Sequence, residues 1–301
     1  MVGIVVVTYN RLALLKKNIE SLRSQTYKAY RIIVVNNGST DGTEQWLSQQ
    51  SDLLTINQDN CGGAGGFYTG LKYVSENQFE YCWLMDDDVI CSPCALEELI
   101  NASNILSGID YGFLCSSVFD INNNPCNVPD VSIKVRKGYA EWSRFLLHSL
   151  VKVRCATFVS VFIPVKNIQE VGLPIKEFFI WGDDTEYTIR LSRKYPSYMV
   201  GKSIVSHLRV MTDGLSFLKE TNPERIHLYY YMFRNQYYIG KQGYWEKPMP
   251  KIRYFITKFL LLGKALSKCK FIHARVVARA IVSSVLFNPK IEYPVLRSEM
   301  R

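Results

Sequence analysis

The chain has 301 residues, which is long enough for one large domain or two modest ones. Its hydrophobic content of 48% and charged content of 21% are those of an ordinary globular protein, which excludes a disordered chain, a collagen-like repeat and a polytopic membrane protein. Residues 247–291 hold ten Lys and Arg and no Asp or Glu. The rest of the chain has 26 basic and 27 acidic residues, so the net charge of +9 comes from this tail. This asymmetry argues against a nucleic-acid-binding protein and for a local anionic partner.

The first third of the chain alternates predicted strands and helices. Short apolar runs rich in β-branched residues predict buried strands at residues 3–9, 31–36, 53–57 and 81–86. An amphipathic helix is predicted over residues 11–24, a second from near Thr43, and a third that follows a glycine-rich turn at 60–67 and runs through Tyr73. This order predicts a mixed, mainly parallel α/β sheet with helices on both faces.

The rest of the chain is less regular, with no internal repeat and no low-complexity linker. We expect strands at 155–164 and 198–207, and an amphipathic helix after the carboxylates near residue 184. From Pro223 the pattern becomes helical and aromatic, and it continues into the basic tail. The change of pattern places a soft domain boundary near residues 215–220.

Polar clusters follow four of the predicted strands, at residues 8–10, 36–41, 57–66 and 86–88. Open α/β sheets bind ligands at the carboxyl ends of their strands, so these clusters should meet at one edge of the sheet. That convergence is the first indication of a functional site.

The sharpest of these clusters is the acidic triplet Asp86–Asp88, directly after an apolar strand. Three adjacent carboxylates repel one another, and Mg²⁺ or Mn²⁺ bridging them to diphosphate oxygens removes that repulsion. In an extended segment alternate residues point the same way, so Asp86 and Asp88 can share a face. The alternative is a solvated acidic turn that caps a helix beginning near Ser92.

The glycine-rich segment 60–66 is predicted to be a turn between a strand and a helix. Such a turn lets backbone N–H groups approach an anion at a helix N-terminus. The segment is not a P-loop, because no Gly-Lys-Ser/Thr follows it. It is also not placed like a dinucleotide-binding motif, which would follow the first strand, because this segment follows the third. A tight turn without a ligand is an equal alternative.

Two further groups could carry chemistry. Residues 181–187 place Asp183, Asp184 and Glu186 beside an aromatic stretch, where a carboxylate with a raised pKa could act as a general base. First-turn acidic residues at a helix start are the alternative. His207 ends an apolar strand; it is a metal ligand only if the acidic triplet is a metal site, and is otherwise structural.

In chain order, these segments resemble the inverting nucleotide-sugar glycosyltransferases of family 2, which have the single-domain GT-A fold. The matching segments extend from residue 3 to about residue 210, and they are Val5–Arg11, Val34–Thr43, Asn57–Phe67, Leu84–Val89, Trp181–Arg190 and His207. The glycine pattern, the acidic triplet, the Asp-Asp-x-Glu-Tyr sequence and the stretch Tyr230–Asn235 are most similar to bacterial galactofuranosyltransferases.

The resemblance implies a role for each matching position. The metal ligands would be Asp86, Asp88 and His207, and the catalytic base would be Asp184. The uridine pocket would be lined by Thr8, Tyr9, Asn37 and Asp59. Other donor contacts would come from Asn60, Gly62, Gly63, Gly65, Gly66, Asp86, Asp87, Trp181 and Asp183. Many relatives have Asp where this chain has Asn36 or Asn37, and a neutral amide there can still pair with uracil.

The resemblance also implies a reaction. A Mn²⁺- or Mg²⁺-dependent enzyme would transfer galactofuranose from UDP-galactofuranose to a hydroxyl of a lipid-linked cell-surface polysaccharide such as an O-antigen. The alternatives are a rhamnosyl- or other hexosyltransferase that uses dTDP-rhamnose or another nucleotide sugar, or a catalytically inactive glycan- or nucleotide-binding module. Residues 1–215 would form the GT-A domain, with a nucleotide-sugar-binding half at 1–115 and an acceptor-binding half at 116–215, and residues 216–301 would form a C-terminal helical extension.

The tail and the cysteines indicate where the protein works. Eight scattered cysteines and an N-terminal apolar run too short for a signal peptide favour free thiols in the cytoplasm. The apolar residues between Lys251 and Phe287 recur at helical spacing among lysines, and the longest charge-free stretch, 280–289, is too short to span a bilayer. We therefore expect a basic amphipathic helix lying on an anionic membrane surface, peripheral to its cytoplasmic face. The alternative is a helix packed on the catalytic domain with a solvated basic face; the oligomeric state stays open.

Overall fold

A computed structural model of the chain describes residues 1–133, 135–136, 138–208, 216–244 and 250–295. The strands are β1 Val2–Thr8, β2 Tyr30–Asn36, β3 Leu53–Asn57, β4 Tyr81–Asp86, β5 Val89–Cys91, β6 Leu114–Phe119, β7 Asp130–Val131, β8 Val135–Arg136, β9 Tyr139–Ala140, β10 Leu150–Cys155, β11 Val161–Pro164 and β12 Ser197–His207. The α-helices are α1 Leu12–Arg23, α2 Thr43–Leu47, α3 Gly62–Ser75, α4 Ala95–Ile105, α5 Val165–Val171, α6 Asp183–Lys194, α7 Pro223–Lys241, α8 Lys251–Ser267 and α9 Phe271–Leu286.

The main sheet is mixed and has the strand order β3-β2-β1-β4-β11-β6-β12-β10-β7, with β5 paired to β12 off this path. The strands β3, β2, β1 and β4 run parallel, as do β6 and β12. Strand β11 is antiparallel to both of its neighbours, β4 and β6, and joins these two parallel groups. The pair β8 and β9 forms a separate small hairpin.

Helices cover both faces of this sheet. Successive residues of each buried strand point to opposite sides, so each strand contributes to two cores. On β1, Ile4 and Val6 pack in a core with the apolar faces of α1 and α4. Val5 and Val7 pack in a second core with α3, α5 and α6. The strand is therefore apolar on both faces from Ile4 to Val7, as the sequence analysis predicted.

The first four predicted strands and the first helix are confirmed to within one residue at each end. The single strand predicted at 155–164 is wrong. Strand β10 ends at Cys155 and pairs with β12 and β7, whereas β11 begins at Val161 and pairs with β4 and β6. The pattern resembles one strand because four of the five residues between the two strands are also buried, Phe158 among them.

The glycine-rich turn is also a wrong prediction, since α3 already begins at Gly62. A Cβ atom built at Gly66 would lie 2.4 Å from Val7 Cγ1, and one at Gly70 would lie 2.2 Å from Val5 Cγ1. Because glycine has no side chain, α3 can lie this close to β1. These two glycines therefore serve helix–sheet packing.

The C-terminal helices pack onto the rest of the protein through α7. Tyr238 and Ile239 of α7 join a core with Phe178 and Ile189, and the apolar face of α9 packs against the other side of α7. The tail expected as one helix is two, α8 and α9. The predicted boundary at residue 215, and Lys247 of the basic tail, lie outside the described residues. Within the part of the chain that the structure describes, no helix combines the length and apolarity needed to cross a bilayer.

Candidate active site

The acidic triplet lies at the carboxyl edge of the sheet. Asp86 is the last residue of β4, and Asp87 and Asp88 form the tight turn into β5, so the triplet is not the extended segment that we expected. Strand β5 pairs antiparallel with β12 and aligns Val89 with His207. As a result, one ligand atom from each of Asp86, Asp88 and His207 lies within 4.8 Å of the others.

The contact between Asp88 and His207 needs a proton or a cation between its two facing atoms. His207 Nδ1 lies 2.9 Å from the side-chain oxygen of Asn127, and because a carboxamide oxygen only accepts, Nδ1 carries the hydrogen. In the neutral ring, Nε2 then points a lone pair at Asp88 Oδ1, 3.1 Å away. Among the described residues this buried oxygen has no hydrogen-bond donor. Two oxygen ligands and a histidine nitrogen oriented by a further side chain are a donor set that fits a divalent cation.

Two more side chains hold the triplet from the side of β1. The Thr8 hydroxyl donates to Asp87 Oδ2 at 2.7 Å, and Arg11 Nη1 lies 2.9 Å from Asp88 Oδ2 and 3.4 Å from Asp87 Oδ1. Sequence reasoning missed Arg11 and Asn127. Arg11 immediately follows the Thr8–Asn10 cluster, which was a usable signal, whereas nothing in the pattern around Asn127 indicated its contact with the histidine.

The three carboxyl groups differ in pKa. Burial, followed by the charges of Asp88 and Asp87, raises the pKa of Asp86 well above its ordinary value. Burial also raises the pKa of Asp87 to about 6, although the hydrogen bond from Thr8 opposes the rise. Burial acts in the same direction on Asp88, but the contact with His207 and the charge of Arg11 outweigh it and lower the pKa of Asp88. The protein alone therefore disfavours full ionisation of the triplet, and a divalent cation would favour it.

Of the four residues predicted to line the uridine pocket, Thr8 ends β1, whereas Tyr9, Asn37 and Asp59 lie in loops. Asn37 is buried, and its amide donates to Asn60 Oδ1 at 3.2 Å and to the Gly62 carbonyl at 2.9 Å while its oxygen accepts from Gln58 at 2.8 Å. Its side-chain hydrogen-bonding capacity is therefore used within the protein. Tyr9 and Asp59 are exposed at the same edge, and the uridine contacts of these residues stay a prediction.

The start of α3 is also engaged by the protein. Gly62 N donates to Asn60 Oδ1 at 2.9 Å, and Ala64 N donates to the Phe179 carbonyl at 3.1 Å. Gly62 has a φ of +75°, and a Cβ there would meet that same carbonyl oxygen at 2.0 Å. A Cβ at Gly65 would likewise meet the Cys61 sulfur at 2.3 Å. At Gly62 and Gly65, both predicted to contact the donor, atoms of the protein itself therefore fill the space beside the glycine.

Gly63 differs from the other glycines of this segment, because a Cβ there would meet nothing within 4 Å. It is the glycine of the segment that leaves room for another molecule, and its donor contact stays a prediction.

The second acidic group begins α6. Asp183 is buried and Asp184 half-buried, and Asp184 Oδ1 accepts from Thr185 N at 2.6 Å and from the Thr185 hydroxyl at 3.2 Å. Burial raises the pKa of both carboxyl groups, and the charge of Asp184 adds to the rise at Asp183. Asp183 also contributes, after burial and the neighbouring carboxylates, to the raised pKa of Asp86. The two acidic groups therefore share one electrostatic environment.

Glu186 has a different role from its two acidic neighbours. It is fully buried and forms an ion pair with Arg190, with Nη2 2.8 Å from Oε2. Arg190 also donates to the carbonyls of Val171 and Leu173. The ion pair orients Arg190, whose bonds to these two carbonyls attach α6 to the end of α5 and the residue positions just after it.

A mixed α/β sheet with an acidic cluster at its carboxyl edge defines the class: the chain has the GT-A fold of nucleotide-sugar glycosyltransferases. Solved structures agree with this class. The crystal structure of Staphylococcus aureus TarS matches with a TM-score of 0.54 and 14% identity over 84% of this chain and 68% of that one. The TarS structure in complex with UDP-GlcNAc matches with a TM-score of 0.54 over 84% of this chain and 69% of that one. At this identity the likeness shows the fold.

The family follows from the sequence comparisons. Residues 3–109 match the family Glycosyl transferase family 2, so the chain carries a family 2 glycosyltransferase domain. An uncharacterized glycosyltransferase of Rickettsia prowazekii is 33% identical over 178 residues, which are 58% of this chain and 53% of the relative. Galactofuranosyltransferase GlfT1 of Mycobacterium tuberculosis is 27% identical over 203 residues, which are 63% of this chain and 64% of the relative. The matched part thus spans between half and two thirds of these relatives.

Proposed function

We propose that the chain is a metal-dependent, inverting glycosyltransferase that transfers galactofuranose from UDP-galactofuranose to a hydroxyl of a lipid-linked cell-surface polysaccharide. The observation that carries this proposal is the convergence of Asp86, Asp88 and His207 within 4.8 Å at the carboxyl edge of the sheet. The similarity to GlfT1 supports the choice of sugar. In this proposal residues 1–115 bind the donor and residues 116–215 bind the acceptor.

Three side chains would hold the cation, namely Asp86, Asp88 and His207. When bound, the cation would neutralise the negative charge that develops on the departing diphosphate. Asn127 keeps the hydrogen of the His207 ring on Nδ1 and so leaves Nε2 available as a ligand. Thr8 and Arg11 hold the turn that carries Asp87 and Asp88, with Asp87 toward the donor's ribose or sugar.

The base in this proposal is Asp184, which takes the proton of the acceptor hydroxyl. A raised pKa makes a carboxylate a stronger base at neutral pH. The hydroxyl oxygen attacks the anomeric carbon from the face opposite the leaving group, so one displacement inverts the configuration. No enzyme nucleophile is required.

The base is tested by Asp184→Asn, which keeps the size of the side chain and removes its basicity. We expect transfer to fall about 10²–10⁴-fold, the usual contribution of a general base. UDP affinity, measured by calorimetry, should change little, because the base faces the acceptor. Survival of transfer in this variant would show that another group takes the proton.

The donor is tested by comparing UDP-galactofuranose with dTDP-rhamnose and UDP-glucose in the presence of Mn²⁺ or Mg²⁺. We expect turnover with the first, and expect it to stop when the metal is chelated. If only another of these nucleotide sugars is turned over, the proposed donor is wrong, and the proposal that the protein is a glycosyltransferase still stands.

The proposal also places the protein on the cytoplasmic face of a membrane. Apolar side chains of α8 point into solvent at helical spacing and define what we call the α8 face: Ile252, Ile256, Phe259, Leu260 and Leu266. Exposed basic residues flank it, including Arg253, Lys264 and Lys268. An outward apolar face ringed by positive charge suits a surface of anionic lipid.

Docking is tested by sedimentation with vesicles that contain anionic phospholipid. We expect the double variant Phe259→Asp/Leu260→Asp to lower the bound fraction at least tenfold, because burying each side chain is worth about 1.5–3 kcal/mol. The matched control is Leu147→Asp, since Leu147 is fully exposed on a different part of the surface. Equal sedimentation of the double variant and the unaltered protein would reject docking through the α8 face.

A further inference from the structure

The segment that leads into α6 has an unusual backbone at residues 178–182. Phe179 has a φ of 64° and a ψ of −59°, and Ile180 N donates to the Phe178 carbonyl at 2.7 Å, which is the strained, left-handed form of a γ-turn. Trp181 also has a positive φ, 61°. Two non-glycine residues in this region need surroundings that hold them there.

Asn235 of α7 stabilises this backbone conformation from one side. Its side chain is fully buried, and its Nδ2 donates to the carbonyls of Phe178, Ile180 and Trp181 at 3.0, 3.1 and 2.9 Å. A carboxamide nitrogen has two hydrogens, so these three acceptors share them. One side chain thus gathers the carbonyls on both sides of the γ-turn.

Arg234 fixes the orientation of this carboxamide. Its Nε and Nη2 donate to Asn235 Oδ1 at 3.1 and 3.0 Å, which turns the amide nitrogen toward the segment. The same guanidinium donates to the Glu177 carbonyl and lies 3.8 Å from the centre of the Phe287 ring. The oxygen of Asn235 is therefore held by its neighbour while its nitrogen holds the turn.

The segment is braced on its other side by the start of α3. Ala64 N donates to the Phe179 carbonyl at 3.1 Å, and Gly62 lies against the same residue. The Phe179 ring stacks on Tyr231 of α7, with ring centres 4.6 Å apart. Residues 178–182 are thus held between two helices, and Asp183 begins α6 immediately afterwards.

We propose that Asn235 is a positioning residue: by clamping residues 178–182 it sets where α6 starts and therefore where Asp184 points. The role in turnover rests on the proposed function, because it takes Asp184 as the base. The clamp itself does not, because it is a property of the backbone. Asn235 touches no reacting atom and acts through the segment that it holds.

The test is Asn235→Asp in the full chain, which keeps the shape and the acceptor oxygen that faces Arg234 and removes both amide hydrogens. The matched control is Asn167→Asp. Asn167 is also fully buried, and its Nδ2 donates to the backbone carbonyls of Tyr111 and Gly112 at 2.6 and 3.3 Å, outside residues 178–182. Both variants lose the same kind of bond, so a general loss of stability appears in both.

Four measurements separate positioning from stability, all taken well below the melting temperatures: kcat, KM for the donor, UDP affinity and hydrogen exchange. We expect Asn235→Asp to lower kcat about 10–100-fold, the effect of a small misplacement of a catalytic group, with KM for the donor and UDP affinity within about threefold. Hydrogen exchange of residues 178–186 should be at least about tenfold faster in this variant. Asn167→Asp should leave kcat and the exchange of residues 178–186 unchanged.

Unchanged exchange at 178–186 in folded Asn235→Asp would overturn the clamp. Faster exchange with an unchanged kcat would overturn the positioning role, as would an equal loss of kcat in Asn167→Asp. If the unaltered protein transfers no sugar from any nucleotide donor, the proposed function fails, and the exchange measurement still decides whether Asn235 holds the segment.

Discussion

Replacing Gly70 by Ala tests whether close packing explains the glycines of α3. A Cβ at Gly70 would lie 2.2 Å from Val5 Cγ1, well inside van der Waals contact. Val5 cannot move away, because it is fully buried in β1 between the paired strands β2 and β4. Overpacking costs about 1–3 kcal/mol, and this site belongs at the upper end. The better helix propensity of Ala returns about 1 kcal/mol. We therefore expect a net loss of about 2 kcal/mol.

Urea unfolding of the full chain measures this loss, and Gly263→Ala is the matched control. Gly263 lies inside α8 with nothing within 4 Å of its Cβ position, so Ala there should stabilise the protein by about 0.5–1 kcal/mol. The opposite signs of the two glycine-to-alanine changes then reflect their surroundings alone.

The double variant Val5→Ala/Gly70→Ala tests the contact itself. Val5→Ala removes the clashing methyl group, and the nearest remaining Val5 atom is Cβ, 3.3 Å from the new methyl group. The double variant should be at least about 1 kcal/mol more stable than the sum of the single effects predicts. Additive effects, or a stabilising Gly70→Ala, would refute the packing explanation.

Three further predictions follow from the polar groups. Burial lowers the pKa of Lys258 to about 8. Between pH 8 and the ordinary lysine pKa the unfolded chain therefore binds more protons than the folded protein, and the free energy of unfolding should rise with pH. Urea unfolding of Lys258→Met should lack this rise. Thr8→Val removes the 2.7 Å hydrogen bond to the Asp87 carboxylate and should cost about 1.5–3 kcal/mol at pH 7.5. That cost should shrink below pH 6 as Asp87 is protonated, and a pH-independent cost would contradict the assignment. The acidic limb of the kcat–pH profile should lie above the ordinary range of Asp because burial raises the pKa of Asp184; a limb within that range would contradict this environment.

The fold was predictable to the extent that local pattern determines it. Apolar β-branched runs long enough for a strand, separated by turn formers, identified β1 to β4, and the rule that ligands bind at strand ends indicated the edge where Asp86 lies. The strand break after Cys155 was not predictable, because Ala156, Phe158 and Val159 are buried without being in a strand. Hydrophobicity reports burial, and here burial and strand pairing differ.

The glycines and the polar braces show a second limit. A glycine indicates that something comes close, but the pattern cannot distinguish a phosphate from Val7 or from the Phe179 carbonyl. Asn127 and Asn235 act across 80 and about 55 residues of chain, respectively, through single side-chain contacts. Such contacts depend on tertiary packing and leave no periodic signal in the sequence.

The most direct test of the central claim is the metal dependence of UDP binding, measured by calorimetry in Mn²⁺ and in EDTA. The control is Asp110→Asn, which removes an exposed carboxylate from a surface ion pair with Lys166. We predict that Mn²⁺ strengthens UDP binding at least about tenfold in the unaltered protein and in the control, and that Asp88→Asn abolishes this gain, since it removes a charged ligand. Equal UDP affinity with and without Mn²⁺ in the unaltered protein, or a full gain in Asp88→Asn, would contradict a cation held by Asp86, Asp88 and His207.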